Sequence, residues 1–162
     1  MARIADHSIE QMFLDRWSSR AMTGEAISVE DLLRLFEAAR WAPSCANSQP
    51  WRFLCARAGT EHFPRFFDLL EDGNKSWCVR AGALLVILSK KTFENGKPSP
   101  THSFDTGAAW MSLALQGLSQ GLVVHGMAGS TTPERPVNSA CQTAIRWKRW
   151  WQSGIREKWK SW

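Results

Sequence analysis

The chain has 162 residues, of which 44% are hydrophobic, and a formal net charge of +5. This length and composition fit one globular domain with a core of its own. The longest aliphatic run, residues 83–88, is far too short to span a membrane, and no signal peptide opens the chain. We therefore expect a cytoplasmic protein without a membrane partner.

The spacing of cysteine and histidine argues against a metal centre. The cysteines, at 45, 55, 78 and 141, include no CxxC pair, and the histidines, at 7, 62, 102 and 125, show no HxxxH spacing. These positions indicate neither a zinc site nor a disulfide framework. We expect reduced, mostly buried thiols and no metal ligands.

Charge and tryptophan content change sharply near residue 130. Residues 1–129 carry 13 basic and 13 acidic side chains, whereas residues 130–162 carry 7 and 2. Five of the ten tryptophans also lie in the final sixteen residues. The change predicts one domain over residues 1–129, followed by a basic, tryptophan-rich tail over residues 130–162.

Apolar spacing predicts alternating helices and strands. Helices are predicted over 8–14, from Ser28 to Pro43, over 61–71 and over 103–120; strands are predicted over 51–55, 82–89 and 122–125. Residues 16–23, 91–101 and 126–129 are expected to form loops. This order, without an internal repeat, indicates an α/β or α+β protein.

The two longest predicted helices carry terminal signals as well as apolar faces. Ser28 can cap the first of them with Asp31 in its first turn, Pro43 ends it, and Gly121 can end the other. The apolar positions at helical spacing are Val29, Leu32, Leu33, Phe36 and Ala39 in the first helix, and Phe104, Ala108, Met111, Leu115 and Leu118 in the second.

A first polar cluster lies in the segment Arg16-Trp17-Ser18-Ser19-Arg20. Arg16, Ser18 and Arg20 can direct two guanidinium groups and a hydroxyl to one spot if the segment is extended or turning. That set suits a phosphate, because arginine gives bidentate, charge-assisted hydrogen bonds. The alternative is a solvated basic loop.

A second polar cluster lies in residues 43–51, Pro-Ser-Cys-Ala-Asn-Ser-Gln-Pro-Trp. The amides of Asn47 and Gln49, with Ser44 and the backbone, match the alternating donors and acceptors on the rim of a heterocycle. The alternative is a helix-ending turn satisfied by its own side chains. Cys45 could be a nucleophile, but no histidine is near in sequence to activate it.

Two further residues, Asn74 and Trp77, lie just before the strand predicted over 82–89, and Asp105 lies at the start of the helix predicted over 103–120. Asn74 could reach the edge of a cofactor, and Trp77 is expected to pack. Asp105 is most simply a carboxylate that stabilises the first turn of its helix. The chain contains neither a GxGxxG nor a P-loop motif, so a dinucleotide fold is unsupported.

These motifs resemble, in order, those of the nitroreductase family, FMN enzymes that move hydrides from NAD(P)H to nitroaromatics, quinones and similar acceptors. The motifs that show this resemblance are Arg-x-Ser-x-Arg at 16–20, Ala-Pro-Ser-x-x-Asn-Ser-Gln-Pro-Trp at 42–51, Asn-x-x-Trp at 74–77, Asp-Thr-Gly-Ala-Ala at 105–109 and His-Gly-Met-Ala-Gly at 125–129. The stretch at 42–51 is the most specific. The resemblance covers residues 8–129.

The resemblance implies an α+β fold with three layers, α/β/α, and a homodimer with FMN at its interface and NAD(P)H as co-substrate. It implies that the 16–20 segment binds the FMN phosphate and that the 43–49 loop contacts the flavin from the partner subunit. The hard chemistry would be the cofactor's, so no catalytic acid or base is expected. The cofactor-binding residues so implied are Arg16, Trp17, Ser18, Arg20, Pro43, Ser44, Cys45, Asn47, Gln49, Asn74, Ala128 and Gly129.

The resemblance stops at residue 129, where the family would continue with a further helix and core strand. Residues 130–162 show no apolar period, so we expect them to supply no core strand and the domain to be incomplete at its C-terminal side. Read one base out of phase, permitted codons give Pro-Asp-Gly-Tyr-x-Val-Glu-Ala-Met-Val-Ala-Val-Gly-x-Pro, a family-like ending. We interpret residues 130–162 as a frameshifted translation, which the nucleotide sequence of the gene would decide.

Two other functions stay open beside a flavin oxidoreductase with a small-molecule electron acceptor. One is an inactive pseudoenzyme that retains flavin. The other is binding to membranes or nucleic acids through the tail, because basic residues interleaved with tryptophan suit anionic surfaces. The resemblance itself implies neither a membrane nor a nucleic-acid partner.

Overall fold

The computed structural model describes residues 3–128 and 141–147. The helices are α1 (Gln11–Asp15), α2 (Val29–Arg40), α3 (Phe63–Asp68), α4 (Asp72–Cys78) and α5 (His102–Ser119). The strands are β1 (Trp51–Arg57), β2 (Ala83–Ser89), β3 (Leu122–Met127) and β4 (Cys141–Trp147). A short 3-10 turn covers Cys45–Asn47.

The strands form a single sheet in the order β1-β2-β4-β3, with every neighbouring pair antiparallel. Residues paired across one rung of the sheet are Leu54, Val86, Gln142 and Met127. Helices lie over both faces of this antiparallel sheet, which is an α+β arrangement.

Two apolar cores lie on opposite faces of the sheet. On one face α2 and α5 pack on the strands through residues that include Leu35, Leu113 and Ile145, each fully buried. On the other face Leu70 and Cys78, from the α3–α4 region, pack around Leu84. The successive β2 residues Leu84 and Leu85 therefore belong to different cores, as the alternation of a strand requires. The predicted α+β class and three-layer order are confirmed.

Helix α2 begins where its cap predicts. The Ser28 Oγ accepts a hydrogen bond of 3.0 Å from the Asp31 N–H, which satisfies one of the free donors of the first turn. Its predicted apolar face is partly wrong, since Val29 and Leu33 are more than half exposed. The buried face is Leu32, Leu35 and Ala39, and Phe36 packs against the same core as a partly buried residue.

Helix α5 presents a different face to the core from the one its apolar spacing suggests. Small residues make its buried face, together with Leu113: Asp105, Thr106, Ala109, Ala114 and Gly117. Phe104 is 78% exposed and Met111 39% exposed. The helix approaches the sheet closely through these small side chains and Leu113, whereas Phe104 and Met111 point away from it.

Strand β4 corrects the expectation that residues 130–162 supply no core strand. Cys141–Trp147 lies between β2 and β3, with Thr143 and Ile145 fully buried. An inward alternation of two residues is too short to stand out as an apolar period in a basic segment. The rest of the tail lies outside the described residues.

Several element boundaries differ from the prediction, and β1 runs on to Arg57. The first helix is shorter, at Gln11–Asp15, and strand β3 extends to Met127, so Gly126 belongs to the sheet and not to a loop. The helix predicted over 61–71 is only Phe63–Asp68, and a separate helix, α4, follows it. In the part of the chain that the structure describes, none of the helices combines the length and apolar character needed to cross a membrane.

The described cysteines differ in burial. Burial raises the pKa of the Cys78 thiol to about 12 and that of Cys55 to about 11, so both are protonated at neutral pH. Cys45 is exposed in the polar loop. The expectation of buried thiols is confirmed for Cys78 and is wrong for Cys45.

Candidate functional site

The 16–20 segment leaves α1 in an extended conformation. Arg16 has φ −70° and ψ 123°, and its Nη1 donates to the Ser18 Oγ at 3.4 Å. Ser19 is 1% exposed, while Ser18 and Arg20 on either side are exposed. The alternation places Ser19 inward and its two polar neighbours outward.

His125 on β3 holds this segment against the sheet. Its Nδ1 lies 3.2 Å from the Ser19 carbonyl oxygen, which can only accept, so Nδ1 carries the proton. The ring packs at a tilt against Trp77 of α4, with 4.5 Å between centroids and 39° between planes. The Arg20 Cζ lies 5.9 Å from the centroid of the same Trp77 ring, within the range of a cation–π contact.

The charge around His125 shows that both guanidinium groups come near it. Burial lowers the pKa of His125, the hydrogen bond to Ser19 opposes that effect, and the positive charges of Arg20 and Arg16 lower it further. The imidazole is therefore held in its neutral form. Arg20, one of the predicted phosphate-binding side chains, thus lies in one group with Trp77 and His125.

Asn74 and Ala128, predicted to lie near a flavin ring, are in contact with each other. The Asn74 Nδ2 on α4 donates to the Ala128 carbonyl oxygen at 3.3 Å. Ala128 follows directly on β3, three residues after His125. This end of β3 therefore joins the 16–20 segment and Asn74 in one neighbourhood. Gly129, predicted beside Ala128, lies outside the described residues.

The 43–51 loop has an unusual backbone. Ala46, Asn47 and Gln49 all have positive φ, between 43° and 51°. Asparagine tolerates this left-handed conformation, whereas alanine and glutamine pay a steric cost there. A loop that holds three such residues in nine is a functional-site candidate, because strain of this kind collects at binding sites.

Side chains of the loop are partly engaged with one another. The Ser44 Oγ accepts from the Gln49 N–H at 3.0 Å, and the Gln49 Nε2 donates to the Asn47 Oδ1 at 3.0 Å. The alternative of a self-satisfied turn is therefore correct in part. Pro43, Cys45 and Asn47 are nevertheless exposed.

The loop is fixed to the start of α5 by Asp105. The Cys45 N–H donates to Asp105 Oδ2 at 3.1 Å, and the Thr101 Oγ1 donates to the same oxygen at 3.0 Å. Asp105 is 5% exposed. Its position in the first turn is as expected, but the contact with Cys45 was not predicted. No local pattern signals this contact, because sixty residues separate the two.

The two polar clusters lie at the same end of the sheet but over different edge strands. The 43–51 loop enters β1 at Trp51, which pairs with Ser89 at the end of β2. Ala128 follows the C-terminal end of β3, which lies at this same end of the sheet. β1 and β3 are three strand spacings apart in the order β1-β2-β4-β3, about 14 Å at roughly 4.8 Å a spacing.

Two buried polar atoms at these clusters have no hydrogen-bond partner among the described residues: Ser48 Oγ and Trp77 Nε1. Ser48 belongs to the 43–51 loop, and Trp77 is the residue whose ring lies near Arg20. Together with the cationic 16–20 donors and the loop amides, they give a donor set that fits a phosphate at one cluster and a heterocycle at the other. The residues present therefore fit FMN. Trp17, within the 16–20 segment, is 40% exposed.

Comparisons with known proteins agree with this fit. The model of the nitroreductase family matches residues 14–76. A solved structure described as an oxidoreductase containing FMN is 40% identical, with a TM-score of 0.81, over 90% of this chain and 79% of that one. The chain belongs to the nitroreductase family, as its motifs predict.

More distant relatives agree in fold and in partial sequence. A solved structure from Desulfovibrio desulfuricans, provisionally described as a nitroreductase in complex with FMN, has a TM-score of 0.70 at 22% identity, over 84% of this chain and 83% of that one. A Streptomyces coelicolor protein, provisionally named an NADH dehydrogenase/NAD(P)H nitroreductase, is 28% identical over 60% of this chain and 48% of its own. A Rhodopseudomonas palustris protein of the same name is 28% identical over 55% and 44%. The matched part spans about half the length of these curated relatives.

Proposed function

We propose that the chain is an FMN-dependent oxidoreductase that takes reducing equivalents from NAD(P)H and passes them to a nitroaromatic or quinone-type acceptor. The observation that carries the proposal is that Trp77 joins Arg20 and His125 in one group at the end of β3, where Asn74 also contacts Ala128. The 40% identity to an FMN-containing oxidoreductase supports it.

The phosphate of FMN would bind at the 16–20 segment. Arg16 and Arg20 supply charge-assisted donors, and the exposed Ser18 adds a hydroxyl. Trp77 supports the Arg20 guanidinium from one face, which leaves its in-plane N–H groups free to point at an anion.

The ring of FMN would bind between the other residues of the two clusters. Asn74 and the backbone at Ala128 would lie near it on one side. The loop of a second copy of the chain would line it on the other, through Pro43, Ser44, Cys45, Asn47 and Gln49. In this role the Gln49 and Asn47 amides exchange their mutual hydrogen bond for contacts with the heterocycle rim. Asp105 holds the loop in place through the Cys45 N–H.

The bound flavin supplies the hydride chemistry, so the protein contributes binding and orientation. The positive 16–20 segment orients the phosphate, and the strained 43–49 loop presents preformed donors and acceptors. His125 is held neutral and its Nδ1–H is engaged with Ser19. It is therefore assigned no proton-transfer step.

We propose in addition that two copies of the chain form a homodimer, with the loop of one completing the flavin site of the other. The separation of the two clusters within one chain, about 14 Å by strand spacing, suits this arrangement. The exposed Phe104 and Met111 of α5, at 78% and 39%, give this proposed interface two apolar side chains to bury.

The test is the visible absorbance spectrum and the solution mass of the purified 162-residue chain, followed by NAD(P)H oxidation with a quinone acceptor. We expect a yellow dimer with stoichiometric flavin and turnover. The double variant Arg16→Ala/Arg20→Ala should lose flavin, whereas Arg65→Ala, an exposed arginine on α3, should keep it. A wild-type chain that stays colourless with added FMN would overturn the proposal.

A further inference from the structure

We propose that His125 and Trp77 are positioning residues that make the 16–20 segment selective for a phosphorylated flavin over riboflavin. The inference rests on the proposed function and concerns residues outside the predicted cofactor-binding set. Neither side chain is assigned a contact with the cofactor. Each acts by placing a group of the 16–20 segment.

The first part of the device is a backbone anchor. Ser19 is buried and its carbonyl oxygen receives the His125 Nδ1–H at 3.2 Å, across 106 residues of sequence. Ser19 lies between Ser18 and Arg20, so fixing its peptide fixes the directions of both neighbouring side chains. Without this hydrogen bond the 16–20 segment is held less firmly against β3, and its polar side chains are no longer oriented together towards one phosphate.

The second part is an aromatic platform. Trp77 lies between two partners. Its ring packs at a tilt against His125, with 4.5 Å between centroids, and its centroid is 5.9 Å from the Arg20 Cζ. A guanidinium over an aromatic ring keeps its donors in its own plane and free. Trp77 therefore restricts the Arg20 side chain, whose freedom in solution would otherwise oppose phosphate binding.

The third part is the balance of charge. Arg16 and Arg20 both act on His125 and disfavour its protonated form, so the anchor donates as a neutral imidazole. In the absence of an anion the two guanidinium groups of the segment repel each other, while Trp77 holds Arg20 and the Ser18 hydroxyl holds Arg16. A phosphate relieves that repulsion, whereas the neutral ribityl chain of riboflavin does not.

The test compares the Kd of FMN with the Kd of riboflavin, each measured by flavin fluorescence quenching on the flavin-free protein. His125→Phe keeps an aromatic ring but removes the donor to Ser19. It should weaken FMN about three- to tenfold, the loss expected for one hydrogen bond, and leave the riboflavin Kd within about twofold. Trp77→Leu should act in the same direction.

Conservative variants and a distant control sharpen the comparison. His125→Asn retains an N–H close to the Nδ1 position and should recover most of the FMN affinity, and Trp77→Phe should do the same for the platform. His62→Phe, an exposed histidine preceding α3, should change neither Kd. Circular dichroism of each variant establishes that it is folded.

The outcomes separate this inference from the proposed function. Equal weakening of both flavins by His125→Phe and Trp77→Leu would mean simple packing, and no weakening of either would mean no role; each result overturns the inference alone. A wild-type chain that binds neither flavin overturns the proposed function together with the inference.

Discussion

The backbone N–H of Cys45 donates a hydrogen bond of 3.1 Å to the buried carboxylate of Asp105, which joins the polar loop after α2 to the first turn of α5. The same oxygen, Oδ2, accepts from the Thr101 Oγ1 at 3.0 Å. One acidic side chain therefore fixes both the loop and the start of the helix that follows the surface segment 91–101.

Replacing Asp105 by alanine removes the acceptor for two donors at once. We expect Asp105→Ala to lower the free energy of unfolding by about 1–3 kcal/mol, the cost of an unsatisfied donor, measured by urea denaturation. Asp105→Asn keeps one acceptor oxygen and should lose less. If the two variants were equally stable, the hydrogen bond to Cys45 would contribute nothing to stability.

The lowered pKa of His125 has a consequence for stability against pH. The folded protein binds a proton at His125 more weakly than the unfolded chain does. Neutral His125 therefore contributes its full stabilisation above the pKa of the unfolded chain, near 6.5. That stabilisation is lost as the pH falls through the lower pKa of the folded protein. We expect urea denaturation to show this fall, and an NMR titration of the ring to give a pKa below 6.5.

The control for this prediction is His125→Asn, which removes the titrating group and should flatten the dependence across that interval. A wild-type protein that gains stability as the pH is lowered through the same interval would contradict the sign derived from burial and from Arg20 and Arg16.

The exposed face of α5 gives a test of assembly. Phe104 is 78% exposed in the single chain, so Phe104→Ser should cost the isolated fold little. If two copies meet through this face, the variant should shift the solution mass from dimer towards monomer in sedimentation experiments. Val79→Ser, 61% exposed at the end of α4, serves as the matched control. A Phe104→Ser protein that stays fully dimeric would place the interface elsewhere.

The close approach of α5 to the sheet depends on Gly117. A Cβ at this position would lie 2.7 Å from the Val124 Cγ2 and 3.7 Å from the Leu35 Cδ2. We expect Gly117→Ala to destabilise by about 1–3 kcal/mol through overpacking, more than the ~1 kcal/mol of helix propensity it gains. Thermal unfolding of both variants measures the difference. Gly73→Ala, with nothing within 4 Å of the added carbon, should be neutral or stabilising there.

Strand β4 can be tested through Ile145, which is fully buried in the core beneath α2 and α5. Its carbonyl oxygen also accepts from the Gly82 N–H at 2.8 Å. Ile145→Ala should cost about 2–5 kcal/mol if residues 141–147 form a central strand. A loss below about 0.5 kcal/mol, typical of a surface position, would show that this segment lies outside the core.

Much of the architecture was predictable from local pattern. The Ser28 cap, the continuous apolar run of β2 and the long helix α5 are properties of neighbouring residues, and each appears in the structure. The family motifs at 16–20 and 42–51 likewise depend only on local order along the chain. The sequence by itself therefore determined the family, the α+β class and the residues to examine as a site.

Tertiary structure decided which faces are buried and which distant groups meet. Spacing along α5 shows an apolar stripe but not that the small residues around Gly117 face the sheet, because close packing selects by shape as well as by hydrophobicity. Nor does the sequence contain the pairing of Ser19 with His125 or of Cys45 with Asp105. Those contacts span 106 and 60 residues, and only the folding of the sheet brings their atoms within hydrogen-bond distance.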